Sequence, residues 1–92
     1  MSGKLHLMAV QYANDNGLKQ PSTTKEDLVI LSDALSRQTA GLIRTTVVYA
    51  AALSNSERIK ALRTQLFVVI NGLVDFVNQM IAVINSWLTI NN

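Results

Sequence analysis

From Ile59 onward the chain places an apolar residue at every third or fourth position: Ile59, Leu62, Leu66, Val69, Leu73, Phe76, Met80, Val83, Trp87 and Ile90. This unbroken alternation predicts a long α-helix that seals an apolar seam. With Ile59 as heptad position a, positions b (Phe67, Val74, Ile81, Leu88) and e (Ile70, Val77, Ile84) are apolar as well. Positions d, a, e and b are contiguous around a helix, so the apolar arc spans roughly 160°, against roughly 100° for an ordinary surface helix. One neighbour covers a narrow seam, whereas an arc this wide has room for two or three. The residues expected to associate are Leu66, Val69, Ile70, Leu73, Val74, Phe76, Val77, Met80, Ile81, Val83, Ile84 and Trp87. A polar series runs in step, with Asn71, Asn78, Asn85 and Asn92 at f beside Gln65, Gln79 and Ser86 at g. Amides both donate and accept, so stacked copies can pair such a stripe; a solvated stripe fits the pattern equally well.

Upstream, Pro21-Ser22-Thr23-Thr24-Lys25-Glu26 signals a helix start, with Thr23 as N-cap, Glu26 closing a capping box and Asp27 adding charge to the first turn. This helix is expected to run to about Leu53, with Leu28, Leu31, Leu35, Leu42, Tyr49 and Ala52 along its seam. Ser54-Asn55-Ser56 breaks it, and either Ser54 with Glu57 or Asn55 alone caps the final helix. The two seams are out of phase across the break, which a turn explains more simply than one continuous helix with a stutter. Folding at the break brings Gly41 level with Gly72, so a close helix approach there is expected.

Residues Lys4 to Tyr12 fit a short helix, with Leu5, Met8, Ala9 and Tyr12 on one side, or an extended arm able to link neighbouring copies. Asn14-Asp15-Asn16-Gly17 is expected to stop that element. The fold class is thus all-α: an antiparallel two-helix hairpin (about 24–53 and 56–91) with a short N-terminal helix or extended arm, packing into a helical oligomer. Residues 1–22 are the expected arm and linker, and 23–92 the hairpin.

Composition sharpens this picture. The 92 residues allow one domain and a modest core, and 49% of them are apolar against 15% charged, which points to association. The net charge of +2 is too small to imply nucleic acid, but all eight Lys and Arg lie at or before Arg63. Arg44, Arg58, Lys60 and Arg63 would form a basic tip at the turn, suited to solubility or to an anionic partner. Without cysteine there is no disulfide or thiolate chemistry. No continuous apolar run near the N-terminus marks a cleavable signal peptide, so cytoplasmic synthesis is expected, with non-cleaved export left open. Residues Leu66 to Ile90 are long enough to cross a bilayer, yet a central Asp75 alone costs about 2.5–3.5 kcal/mol on insertion. A membrane therefore enters only if the polar stripe packs inward, not as a simple lipid-exposed span.

His6, the single histidine, lacks companions at ligand spacing, with Ser2 and Tyr12 as weak partners for it; a surface or packing role is expected. Glu26, Asp27 and Asp33 are accounted for by capping and an i,i+4 pair of Asp33 with Arg37. No Gly-rich phosphate loop is present. The expectation is a protein with no catalytic residue, cofactor or metal.

In size and expected shape the chain resembles type VII secretion substrates, but its turn is Ser54-Asn55-Ser56 where they carry Trp-x-Gly. It is similar to type III needle subunits without their Pro-containing turn, and Gln38-Thr39-Ala40 through Ala50-Ala51-Ala52 resembles R-body ribbon proteins in composition. None of these likenesses assigns a family. The expected function is a non-enzymatic structural protein that self-assembles through its C-terminal helix into a homo-oligomer or filament. The alternatives are a small adaptor or chaperone-like protein covering one helical partner, and a membrane-active helical hairpin. Copies of the chain itself are the first expected partner, and nucleic acid is disfavoured.

Overall fold

The computed structural model describes residues 3–91; Met1, Ser2 and Asn92, the last rung of the asparagine series, lie outside them, as do the side chains of Ile90 and Asn91. All regular structure among the described residues is helical: α1 (Gly3–Asp15), α2 (Thr24–Ala51) and α3 (Arg58–Asn91). The N-terminal segment is therefore a helix rather than an extended arm.

Each helix boundary has a local cause. Thr23 has extended backbone (φ −129°, ψ 162°), and its hydroxyl accepts from the Glu26 amide at 3.1 Å, so α2 starts where the capping residues predict. Glu26 returns one residue further back than a capping box requires. Its carboxylate accepts from the Ser22 amide at 2.7 Å and the Ser22 hydroxyl at 2.8 Å. At the second break Asn55 acts alone: its Oδ1 accepts from the amides of Glu57 and Arg58, both at 3.1 Å, and α3 begins. Helix α1 ends in a Schellman motif, with Gly17 at φ +65°, the Leu18 amide donating to the Ala13 carbonyl at 2.9 Å and the Gly17 amide to that of Asn14 at 3.5 Å.

Helices α2 and α3 pack on each other, and α1 packs on both. A 34-residue helix is about 51 Å long, and the molecule's longest dimension is 53 Å, so the two long helices lie side by side. Along α3 the seam from Ile59 to Trp87 is half-buried, closing fully at Val83. On α2 it is met by Leu31, Leu35, Gln38, Leu42, Thr45, Tyr49 and Ala52, all buried or half-buried. Leu28, expected in that seam, is exposed instead; the sector of α2 next to it, with Asp27, Ile30 and Ala34, is turned inward. The expected close approach at the glycines is also absent. A Cβ on Gly72 would meet nothing within 4 Å, and one on Gly41 would meet only its own helix's Arg44 at 3.8 Å.

Helix α1 buries Leu5, Ala9 and Ala13, one per turn. Leu5 and Ala9 join Leu31 of α2 and Val83 of α3 in the core, with Met8, Ile30, Phe76, Met80 and Ile84 packed around them. Three side-chain contacts tie α1 to α2: His6 to Asp27, Tyr12 to Asp33 and Asn16 to Arg37, each 21 residues apart in sequence. A constant offset means that the two helices run parallel. The linker must then return along α1: Asn16 lies level with Arg37, about 14 residues or 21 Å along α2 from Thr23. The seven steps from Asn16 to Thr23 reach about 23–25 Å when extended, so the linker is nearly taut. Pro21 within it is buried.

Two outcomes are expected from these caps. Gly17→Ala puts a Cβ into left-handed backbone and is expected to destabilise the fold by about 1 kcal/mol in urea denaturation. The hydrogen bonds from Ser22 hold the Glu26 carboxyl below its ordinary range. Its contribution is therefore complete above the unfolded-state value and is lost as pH falls through the lower, folded one. The urea midpoint of Glu26→Gln should accordingly converge on that of the unsubstituted protein as the solution is acidified.

Candidate interaction surface

Helix α1 is held by a polar row that hydrophobic periodicity does not reveal. Asp27 is only 2% exposed, and the His6 Nδ1–H donates to its Oδ1 at 2.9 Å from a half-exposed ring. The Tyr12 hydroxyl donates to Asp33 Oδ2 at 2.8 Å, and the Arg37 guanidinium bonds both Asp33 (3.1 Å) and Asn16 (3.0 Å) while lying over the Tyr12 ring, 5.9 Å from its centre. Burial, then the bond to Asp33, pushes the Tyr12 phenol above its ordinary value. The Asp33–Arg37 pair forms as its i,i+4 spacing predicts. Asp27, in contrast, is buried under α1 as well as standing in the first turn of α2, and His6 is a tether, not a free surface histidine. The available signal was the repeated spacing of 21, which pairs His6, Tyr12 and Asn16 with polar partners along one side of α2. These bonds orient a helix; they pair no nucleophile with a base. Among the described residues no group of three or more His, Asp or Glu side chains comes together to hold a metal.

The expected self-association residues divide into two sets. Leu66, Val69, Leu73, Phe76, Met80, Val83 and Trp87 line the seam within the chain, and Ile84 is half-buried against the α1 core. These side chains pack within the chain's own fold. Ile70, Val74, Val77 and Ile81 remain exposed. Phe67, Val68 and Leu88, not included in the expected set, extend the exposed face along the helix. Position b forms its central line: Phe67, Val74, Ile81 and Leu88 are 54%, 50%, 53% and 42% exposed. Asn71, Asn78 and Asn85 are exposed beside it. Among the described residues α3 is the one helix long and apolar enough to cross a membrane.

Near the turn joining α2 to α3, Arg44, Arg58, Lys60 and Arg63 are all exposed. Leu53, in the turn itself, is 64% exposed.

The buried carboxylate gives a direct test of how α1 is held. His6→Ala leaves Asp27 without its side-chain donor and should cost about 1–3 kcal/mol in chemical denaturation. The double variant with Asp27→Leu should cost less than the sum of the two single changes.

Comparison with known families, with curated proteins and with solved structures finds no match for this chain.

Proposed function

We propose that this is a non-enzymatic structural protein that assembles with copies of itself through the outward face of α3. Its unit is an antiparallel hairpin of α2 and α3, with α1 as a third, shorter helix parallel to α2. The observation that carries the reading is the exposed line Phe67–Val74–Ile81–Leu88, one large apolar side chain per heptad along most of α3. Val68, Ile70 and Val77 widen it, and after Arg63 the sole charge is Asp75.

An exposed Val, Ile or Phe forgoes roughly 1.5–3 kcal/mol relative to full burial, and several stand together here. That is a large amount beside the stability of a small domain. A second copy is the partner present wherever the chain is made, and its own α3 offers a face of the same shape and polarity. The neighbouring Asn71, Asn78 and Asn85 favour a protein partner over lipid, because amides facing lipid lack hydrogen-bond partners and amides facing amides do not. Both a closed bundle and an open filament bury such a face.

Sedimentation velocity and negative-stain microscopy of the pure protein test this. Assembly is expected at micromolar concentration, and Val74→Glu with Ile81→Glu should give a helical monomer with cooperative unfolding. Finding the unsubstituted protein already a stable monomer would favour the adaptor reading. In Asn78→Lys, lost assembly places the amide stripe inside the contact, and unchanged assembly places it in water.

A further inference from the structure

The charge of this molecule is divided by position. Between Ile43 and Val68, four cations (Arg44, Arg58, Lys60, Arg63) face one carboxylate, Glu57, while the rest of the chain carries four Lys and Arg against five Asp and Glu. In the rest of the molecule Arg37 is bonded to Asp33 and Asn16. The four cations near the turn are exposed, and their side chains make no hydrogen bond or ion pair among the described residues. All four lie within about 12 Å of the turn, because Arg44 is eight residues before Ala52 and Arg63 five after Arg58.

Folding does not account for their placement. Arg58 and Lys60 stand in the first turn of α3, which has no acidic residue, and there the helix dipole disfavours positive charge. No basic residue occupies the last turn of α2, where the dipole would favour one. Large apolar side chains are exposed among these cations: Ile43, Val47, Leu53, Phe67 and Val68. Leu53 lies at the turn, and the others flank it on the two helices.

We propose that the turn end of the molecule docks on anionic lipid bilayers. Arg44, Arg58, Lys60 and Arg63 meet the headgroup phosphates, and Leu53 with its apolar neighbours enters the boundary between headgroups and acyl chains. Long basic side chains suit this depth, since their stems lie along apolar surface while the charged ends reach the phosphates. A nucleic acid would reward the same charges but leave Leu53, Val47 and Val68 in water, and Phe67 alone offers it an exposed ring near the tip. Docking is shallow, because further along α3 the exposed Asn71, Asp75 and Asn78 oppose entry into the hydrocarbon. The proposal does not rest on self-assembly, which uses the length of α3.

Flotation with phosphatidylcholine vesicles, with and without 30% phosphatidylglycerol, tests it. The full chain and its Val74→Glu, Ile81→Glu variant should both bind the anionic vesicles at least tenfold more tightly, so the test is independent of assembly. Arg58→Gln with Lys60→Gln should remove most of that preference, and Leu53→Ser should weaken binding severalfold with helical content retained by circular dichroism. Equal binding to both vesicle types would overturn the proposal. So would binding unaffected by Leu53→Ser, or tighter binding to a labelled oligonucleotide than to anionic vesicles.

Discussion

The width of the apolar arc on α3 is the constraint on which the rest of the molecule depends. A helix apolar over roughly 160° cannot be satisfied by a single neighbour, because one packed helix covers a seam about as wide as positions a and d. Helix α2 takes that seam. Helix α1 then packs on both long helices around Val83, with Phe76, Met80 and Ile84 at the margin of the same core. It is only 13 residues long, however, against 34 for α3. The outer line from Phe67 to Leu88 is left uncovered, and the half of α3 near the turn has only α2 beside it.

What α1 achieves depends on small side chains and on polar bonds in equal measure. Ala9 and Ala13 are completely buried, and residues of that size allow a close approach to both long helices. Such a surface buries little apolar area per residue, so direction and register must come from elsewhere. The contacts of His6, Tyr12 and Asn16, all offset by 21 residues, supply them, since sliding α1 by one turn would separate every donor from its acceptor. The linker reinforces the same register. It is nearly at full reach, with the left-handed Gly17 setting its direction at one end and the Thr23 cap fixing the other.

How much of this was legible depends on the range of each signal. Caps are local, so Thr23, Asn55 and Gly17 marked helix ends that the structure reproduces, and the alternation from Ile59 marked a seam that is half-buried as far as Trp87 and closed at Val83. The parallel docking of α1 was not legible in the same way, because it depends on pairs of residues far apart in the chain. Leu28 shows the consequence. Its spacing fits the seam of α2, but once α1 draws Asp27 and Ile30 inward, α2 is rotated so that Leu28 faces water. The two glycines were misread for a related reason: a shared level in the sequence does not put two residues on facing sides of their helices. On the outer surface, periodicity located the apolar arc correctly but could not divide it between the chain's own seam and the face left over.

The arrangement of side chains along α3 bears on how an apolar surface and a polar one share a single helix. The apolar arc of α3 is bordered by amides, with the line of Phe67, Val74, Ile81 and Leu88 next to the line of Asn71, Asn78 and Asn85. Charged residues at those asparagine positions would also keep the helix in water, but identical charges meeting across a contact between copies would repel. Amides avoid that penalty, since each brings a donor and an acceptor to whatever it meets. On α3 the only charges are Asp75 and, near the turn, Arg58, Lys60 and Arg63, and there they occupy the helix terminus where the dipole least favours them. Glu57, whose amide the Asn55 cap takes, is the one acid at that terminus against the three cations Arg58, Lys60 and Arg63. Its cations are better understood as facing outward to a partner than inward to the fold.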